Sequence, residues 1–249
     1  MAGAREGALE AGLARVVPYE GRFAPDLVEI CWRTGLMGES LEGSGRFEDR
    51  RLFAMLFCLP YASFEPESCF VALAPRDPAR PEAGERAVGY IVGSSRAAAQ
   101  ARDFERRWQP RIAARLFLYD WWRHPESFAQ ALRFARVARA EEAAAAKEPG
   151  PGRPLLGGPE FPALLHINLL PEWQGRGLGG LLMAAFLGRL RELGCPGVYL
   201  ETSDRNLKAL PFYRKLGFEE LGGASGAAPE PGEFWAGLPA RGIAMGLRL

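Results

Sequence analysis

The spacing of apolar residues along the chain predicts seven strands and four helices, interrupted by one irregular block. Short apolar runs bounded by glycine, proline or charged residues predict strands, and apolar residues recurring every three or four positions predict helices. The predicted strands are 15–19, 68–73, 87–92, 164–170, 197–202, 218–221 and 242–249, and the predicted helices are 25–34, 47–59, 178–193 and about 207–216. Because strands come first and then alternate with helices, the pattern indicates a mixed α/β (α+β) sheet.

The irregular block, about 96–160, is rich in alanine, arginine and aromatic residues. It has helical periodicity in places and a proline- and glycine-rich loop at 148–154. Since it lacks the strands or long apolar helices needed for its own core, we predict an insertion, or lid, on a single domain covering 15–249. Its tryptophans Trp108, Trp121 and Trp122 either line a pocket under the insertion or bury the insertion against the sheet. Residues 1–14 are small and polar and predict a flexible tail.

Composition narrows the class of protein further. The 249 residues include 48% hydrophobic ones, enough for a large core, and the net charge of +1 gives no electrostatic case for a nucleic-acid partner. No apolar run approaches a membrane span or a signal peptide, so we expect no membrane partner. Four scattered cysteines and two histidines predict no metal site and free thiols in a reducing cytoplasm.

One glycine-rich stretch carries the candidate chemistry. The apolar strand 164–170 runs into a turn containing Gly175 and Gly177, and the turn opens the amphipathic helix 178–193. Glycines leave backbone N–H groups bare at a helix N-terminus, where the helix dipole also favours negative charge. The stretch is therefore a candidate site for a phosphate or a pyrophosphate.

Two other interpretations of these glycines are open to test. Residues 175–180 match the dinucleotide-binding pattern G-x-G-x-x-G, and Glu201 lies 21 residues after Gly180, where that pattern places an acid for a ribose. Four residues separate the strand from the first glycine, too few elements follow for a doubly wound sheet, and the preceding strands are hairpin-like. These features oppose a dinucleotide. The glycines could also serve only the packing of helix against strand.

Two motifs around this stretch resemble a known family. The segment 174–179, Gln-Gly-Arg-Gly-Leu-Gly, resembles the Q/R-x-x-G-x-G/A loop of the GNAT superfamily of N-acetyltransferases. The segment 206–218 is similar to that family's N-x-x-A-x-x-F-Y-x-K-L-G-F element. Further segments, at 30–35, 60–67, 166–175 and 196–200, look like the acetyltransferase-like domain of O-GlcNAc hydrolases and its stand-alone bacterial relatives.

The resemblance implies both a fold and an activity. The implied GNAT fold has a central, mixed and mostly antiparallel sheet that splays at its fourth strand, with flanking helices and here a helical insertion. The implied activity is transfer of an acetyl group from acetyl-CoA to a primary amine, by direct attack in a ternary complex. The alternative is a catalytically impaired acyl-CoA-binding or protein-interaction module. The acceptor would be a small-molecule or protein amine, and a homodimer is compatible with the resemblance.

The resemblance also implies which residues bind coenzyme A. Backbone groups of Asn168, Leu169 and Leu170 would pair with the pantetheine arm, and the N–H of Leu169 would polarise the thioester carbonyl. Asn206, Phe212 and Tyr213 are assigned to the cofactor arm. Backbone N–H groups of the loop would hold the pyrophosphate; these belong to Gln174, Gly175, Arg176, Gly177, Leu178, Gly179 and Gly180.

The catalytic assignments begin with Tyr213, which the resemblance makes the proton donor to the leaving thiolate. An amine of pKa about 10.4 costs roughly 4–5 kcal/mol to deprotonate at pH 7, so a base is also expected. The candidates are His166, Glu201 and Glu172. His166 could instead be a half-buried histidine with its hydrogen bonds satisfied, and Glu201 an ordinary acid at a strand end.

Two positions depart from the family pattern. Asn168 stands where many relatives carry aspartate, and an amide cannot accept a proton, which makes turnover uncertain and keeps the binding-module alternative open. Pro211 lies inside an expected helix. If the helix starts near 207 or 208, the proline falls in the first turn and is harmless; otherwise it kinks the helix.

Overall fold

The structure is a computed structural model, and it describes residues 14–36, 38–77, 79–147, 156–221 and 242–249. For residues 81 and 137–147 it describes the backbone alone. All of the predicted tail except residue 14 lies outside the described residues, and so does the predicted loop at 148–154.

The described strands form one seven-stranded sheet in the order β1-β2-β3-β4-β5-β7-β6. The strands are β1 Arg15–Pro18, β2 Phe70–Pro75, β3 Glu85–Ser94, β4 Ala163–Leu169, β5 Gly197–Ser203, β6 Glu219–Glu220 and β7 Gly242–Arg248. Each recorded neighbour pair is antiparallel except β4 and β5, which run parallel. The mixed, mostly antiparallel sheet predicted from the sequence is therefore confirmed.

Helices flank this sheet and fill the connection between β3 and β4. They are α1 Ala24–Thr34, α2 Arg50–Phe57, α3 Leu59–Phe64, α4 Ala97–Asp103, α5 Gln109–Arg115, α6 Trp121–Arg123, α7 Pro125–Lys147, α8 Leu178–Glu192 and α9 Ala209–Lys215. Two π-helical turns, Phe104–Trp108 and Leu116–Asp120, join α4, α5 and α6. The predicted single helix 47–59 is wrong, because the backbone breaks from helical geometry at Cys58, just before Pro60.

The core lies on both faces of the sheet. Helix α8 packs on one face, where Phe186 is fully buried beside Gly93 of β3. A Cβ at Gly93 would collide with the carbonyl oxygen of Leu164 in β4 and lie 2.7 Å from the Phe186 ring of α8, so only glycine fits at this position. On the other face, α1 and α3 cover β3, and Tyr90 is buried there beside Cys31 of α1.

The insertion is fixed to the N-terminus of α2. Asp49 caps this helix by accepting hydrogen bonds from the N–H groups of Arg51 and Leu52, at 2.9 and 3.1 Å. Arg115 of the insertion donates to the other oxygen of the same carboxylate. Ser127, also from the insertion, accepts hydrogen bonds from the backbone N–H groups of Glu48 and Asp49. Satisfied helix-end donors of this kind stabilise the junction.

The tryptophans of the insertion differ in burial, and only Trp108 fits the packing interpretation. Trp121 is 58% exposed and Trp122 is 56% exposed, so neither buries the insertion against the sheet nor lines a closed pocket beneath it. Trp108 is partly buried against the main core, as the packing interpretation predicted. The pattern of apolar and polar residues could not predict this exposure. Whether a tryptophan is exposed depends on which faces of its helix other parts of the fold cover.

Candidate active site

The candidate site opens where β4 and β5 separate. Their parallel pairing contains two residue pairs, Ala163 with Val198 and Leu164 with Tyr199, and then ends. On the other side, β4 stays paired with β3 along its length, and the N–H of Leu170 donates to Val88 at 2.9 Å. This is the splayed fourth strand that the sequence predicted.

The hydrogen-bond register of β3 and β4 decides which backbone groups face the gap. Bonded pairs alternate along an antiparallel ladder. Since Leu170 is bonded to β3, Asn168 is also in a bonded pair, and Leu169 presents its N–H and carbonyl to the gap. The side-chain amide of Gln174 donates to that carbonyl at 3.0 Å. Of the three residues predicted to pair with pantetheine, Leu169 is the one whose backbone groups are directed away from β3.

The glycine-rich loop lies directly after this strand. A 3₁₀ turn, Pro171–Trp173, buries Trp173 and leads to Gly175 and Gly177, which have φ values of 73° and 83°. A left-handed backbone of this kind favours glycine. The carbonyl of Gly177 accepts from Gly180 and Leu181 and so starts α8.

Several N–H groups of this loop remain available. Within the described chain, no acceptor is bonded to the backbone N–H of Gly175, Gly177, Leu178 or Gly179. No heavy atom lies within 4 Å of a Cβ built at Gly175 or Gly177. Open space around bare N–H groups at a helix N-terminus fits a phosphate or pyrophosphate. Arg176 lies over the Trp173 ring, with its guanidinium 5.0 Å from the ring centroid.

Helix α9 approaches the same loop from the side of β5. A Cβ at Gly179 would lie 3.3 Å from Phe212 and 3.4 Å from Leu169, so the loop, the end of β4 and α9 converge at this glycine. Tyr213 is buried next to Phe212, and burial raises its pKa to about 12. The phenol is therefore protonated at neutral pH, as a proton donor must be.

The start of α9 settles the question about Pro211. The helix begins at Ala209, so the proline is its third residue and lies in the first turn, where no helical hydrogen bond is lost. Asn206 accepts hydrogen bonds at this helix start, from Ala209 through its side chain and from Leu210 through its carbonyl. Its amide nitrogen donates to Thr202 at 3.3 Å.

Two of the three candidate bases have unfavourable surroundings. Burial lowers the pKa of His166 to about 4, and its ring centroid is 4.8 Å from that of Tyr61. Glu172 forms a two-point ion pair with Arg33, at 3.0 and 3.1 Å. Partial burial opposes ionisation of Glu172, but its own backbone N–H and the Arg33 guanidinium outweigh burial and lower its pKa. Neither group is tuned to take a proton near pH 7.

The third candidate, Glu201, lies at the mouth of the gap. It is exposed and is located two residues after Tyr199, on the same side of β5. Burial raises the pKa values of Tyr61 and Tyr199, and the negative charge of Glu201 contributes to both shifts. The carboxylate therefore lies close to both phenols. The structure thus brings His166, Tyr61, Tyr199 and Glu201 together where β4 and β5 part.

Sequence reasoning missed two of the aromatic residues at this site and one behind it. Tyr61 and Tyr199 line the gap, and neither carried a predicted role. Tyr90 of β3 is fully buried and accepts a hydrogen bond from the side-chain amide of Asn168 at 2.8 Å. A tyrosine within an apolar strand gives no sequence signal for such a contact, because the partner is 78 residues away.

Comparison with known proteins identifies the family. A family model described as the acetyltransferase (GNAT) family matches residues 97–218. The crystal structure of SsHAT is 30% identical in sequence and covers 94% of this chain and 98% of its own, with a TM-score of 0.64. The chain therefore belongs to the GNAT family of acetyltransferases, and the predicted family and fold class are confirmed.

Curated relatives match a shorter part of the chain. Mycothiol acetyltransferase of Thermobifida fusca (strain YX) is 43% identical over 53 residues, which are 21% of this chain and 16% of that protein. The [ribosomal protein bS18]-alanine N-acetyltransferase of Haemophilus influenzae is 35% identical over 68 residues, 27% of this chain and 46% of that protein. The match thus spans less than half the length of either relative.

Three further observations concern the described residues only. None of their helices is both long and apolar enough to cross a membrane. They contain no group of three or more His, Cys, Asp or Glu side chains placed to hold a metal ion. The four cysteines, all at described positions, are free thiols.

Proposed function

We propose that this protein transfers the acetyl group of acetyl-CoA to a primary amine, by direct attack in a ternary complex. The observation that carries the proposal is the gap between β4 and β5, which the backbone of Leu169 faces and the glycine-rich loop borders. Membership of the GNAT family supports acetyl transfer and acetyl-CoA as the cofactor. The N-acetyltransferase activity named for the H. influenzae relative supports an amine as acceptor.

The loop residues fit the cofactor's pyrophosphate. Four N–H groups without an acceptor in the described chain, belonging to Gly175, Gly177, Leu178 and Gly179, would donate to phosphate oxygens. The N-terminal end of α8 adds its favourable dipole. The N–H groups of Gln174 and Gly180, also predicted as donors, are bonded instead to the carbonyls of Pro171 and Gly177. Arg176 adds positive charge. The pantetheine arm would enter the gap and pair with the backbone of Leu169.

Acetyl-CoA, when bound, supplies a thioester that an amine nitrogen attacks, so that a C–N bond forms, the C–S bond breaks and the sulfur leaves as a thiolate. The N–H of Leu169 would donate to the carbonyl oxygen as negative charge develops there. Tyr213 holds its proton at neutral pH because burial raises its pKa, and it would give that proton to the thiolate.

Glu201 is the base that the surroundings favour. His166, with a pKa of about 4, is neutral at pH 7 but far too weak to deprotonate an ammonium group, and Glu172 is held by Arg33. Glu201 is exposed beside Tyr61 and Tyr199, where it would hold a cationic acceptor and take its proton through water. Deprotonating the acceptor amine at pH 7 costs about 4–5 kcal/mol. We therefore expect this step to control how the rate of turnover depends on pH.

One observation favours the alternative, a catalytically impaired acyl-CoA-binding module. The side chain of Asn168 cannot accept a proton, and its amide nitrogen is bonded to Tyr90. With His166 and Glu172 also disfavoured, Glu201 is left as the one predicted base. Loss of that role would leave cofactor binding intact and abolish turnover.

We also propose a closer relationship within the family, a domain boundary, a location and an oligomeric state. The similarity to the acetyltransferase-like domain of O-GlcNAc hydrolases rests on segments such as 30–35 and 166–175. The single domain 15–249, a cytoplasmic location and a homodimer are likewise proposals. The free cysteines are compatible with the reducing compartment that the location implies.

Calorimetry with acetyl-CoA tests the assignment of the cofactor loop. In Gly177→Glu, a carboxylate about 5 Å from the pyrophosphate would cost roughly 3 kcal/mol per phosphate charge at an effective dielectric constant of about 20, so affinity should fall more than about a hundredfold. Gly177→Ala is the matched control, because it introduces the same left-handed backbone strain of about 1–2 kcal/mol without the charge. Its affinity for acetyl-CoA should therefore fall by at most about thirtyfold. Equal losses in both variants would refute the placement of the pyrophosphate.

A second assay separates the enzyme from the binding module. Release of free CoA is followed while acetyl-CoA and a panel of primary amines are supplied. An amine-dependent thiol signal supports the enzyme. Binding of acetyl-CoA by calorimetry, with no thiol release for any amine of the panel, would favour the module.

A further inference from the structure

Four large apolar side chains are exposed within six residues of the insertion. Phe117 is 60% exposed and Leu118 78%, and the tryptophans that follow them, Trp121 and Trp122, are more than half exposed. Single exposed apolar residues are common on protein surfaces, but a cluster indicates an interaction site. The other large exposed apolar residues of the described chain lie separately, on or beside other helices; they are Leu181, Leu193 and Leu207.

The four side chains share one face of a helical segment, 109–123. Their spacing repeats every three or four residues, and Ala113 and Ala114, one turn earlier, are exposed as well. The opposite face is also apolar, but Ile112 and Leu116 are buried there in the main core. The segment therefore has one apolar face that the fold covers and a second that it leaves uncovered.

This uncovered face is held in place from beneath. Arg115 is bonded to Asp49 at the N-terminus of α2, and Ser127 accepts two further hydrogen bonds from the same turn. The ring of Phe117 packs edge-on against Phe128 of α7, with centroids 5.6 Å apart. The exposed side chains thus belong to a segment that is anchored to the core.

Positive charge is concentrated in the part of the chain that carries this face. Residues 96–136 contain nine arginines and four carboxylates, a net charge of +5 with histidine neutral, whereas the whole chain carries +1. Arg111 is exposed seven residues before Leu118, on the same helical face. The guanidinium of Arg123 lies 5.9 Å from the Trp122 ring. A basic border around an apolar face is complementary to a negatively charged partner.

We propose that this face, residues 109–123, docks the protein peripherally on an anionic lipid bilayer. A helical face with Trp, Phe and Leu, bordered by arginine, has the composition of helices that lie in the interface of a membrane. Tryptophan favours this interface, and anionic headgroups attract the arginines. A second copy of the chain is a poorer partner, because it would bring two surfaces bordered by exposed arginines, Arg111 and Arg123, against each other. The sequence predicted no membrane partner because it has no spanning run, which a peripheral site does not need.

Vesicle co-sedimentation of the full chain tests the proposal. Binding is expected to vesicles of phosphatidylcholine mixed with phosphatidylglycerol, much less to phosphatidylcholine alone, and it should weaken as salt is raised. Leu118→Glu places a carboxylate at the centre of the face and should reduce binding at least about tenfold. Leu207→Glu makes the same change at a leucine that is 76% exposed elsewhere and should bind like the wild type.

Three outcomes would overturn the proposal: absence of binding to the anionic vesicles at low salt, equal losses in both variants, or a wild-type dimer that Leu118→Glu converts to a monomer. The last result, seen by analytical ultracentrifugation, would assign the face to a second copy. Circular dichroism of both variants should match the wild type, since each leucine is mostly exposed. Because the readout is vesicle binding, the test does not depend on acetyl transfer.

Discussion

Replacing Asp120 with asparagine should stabilise the folded chain at about pH 8. The Asp120 side chain is fully buried, 3.8 Å from Arg115, and its oxygens accept no hydrogen bond from the described residues. Burial, with the neighbouring carboxylate of Asp49, raises the pKa of Asp120 to about 7. Once protonated, Asp120 can donate to Asp49. Asparagine imitates that protonated form, since its amide can donate in the same place without carrying a charge.

The magnitude follows from linkage. A carboxyl whose pKa is raised from 3.8 to about 7 on folding contributes stability at low pH that is lost as pH rises between these values. Each pKa unit corresponds to about 1.4 kcal/mol, so the loss between pKa 3.8 and about 7 is complete above pH 7 and amounts to at most about 4 kcal/mol. Asp120→Asn has no carboxyl at this position and does not lose this stability. Its unfolding free energy should exceed that of the wild type by an amount that grows by about 1.4 kcal/mol per pH unit between about pH 5 and 7 and then levels off.

Urea denaturation at a series of pH values measures the difference in unfolding free energy between variant and wild type. The difference is needed because other groups titrate in the same range. His166, whose pKa is lowered to about 4, makes stability rise with pH from about 4 to 6.5 in both proteins. Asp103→Asn is the matched control; its partner Arg107 is exposed and 3.5 Å away, so its effect should stay within about 0.5 kcal/mol. A pH-independent difference, or a destabilised Asp120→Asn, would show that folding does not raise the pKa of Asp120.

Two further predictions concern turnover, measured as release of free CoA. Tyr213→Phe should lower kcat about a hundredfold or more and change the KM for acetyl-CoA little, because it removes a proton donor and keeps the ring. An unchanged kcat would show that Tyr213 does not protonate the leaving thiolate. Glu201→Gln should lower kcat/KM at least about tenfold at neutral pH and recover towards the wild type as rising pH deprotonates the amine, and a parallel pH profile in both proteins would exclude Glu201 as base.

Much of the fold was predictable because local sequence carries it. The strand before Gly175, the turn and helix α8 follow from apolar spacing and glycine placement, and the structure has them within a residue of the predicted bounds. The helix predicted over 47–59 was wrong because Asp49 caps the chain later and Cys58 breaks it. Asp49 is held by Ser127 and Arg115 of the insertion, contacts that no local pattern reveals.

The site was predictable in its backbone and less so in its side chains. Loop N–H groups follow from glycines and a helix start, which are adjacent in sequence. The pairing of Glu172 with Arg33 joins residues 139 apart, and the contact of Asn168 with Tyr90 joins residues 78 apart. No pattern of sequence spacing predicts contacts between residues so far apart. The surroundings that set the pKa of each acid and base were therefore visible only in the folded structure. The exposed face of the insertion was visible only there for the same reason.

A structure determined with acetyl-CoA bound would show whether the gap between β4 and β5 holds the cofactor. We expect the pyrophosphate on the N–H groups of Gly175 to Gly179, the pantetheine arm between β4 and β5, and the thioester oxygen within hydrogen-bond distance of the Leu169 N–H. A cofactor bound elsewhere on the chain, or a gap between β4 and β5 that stays empty while the cofactor is bound, would contradict it.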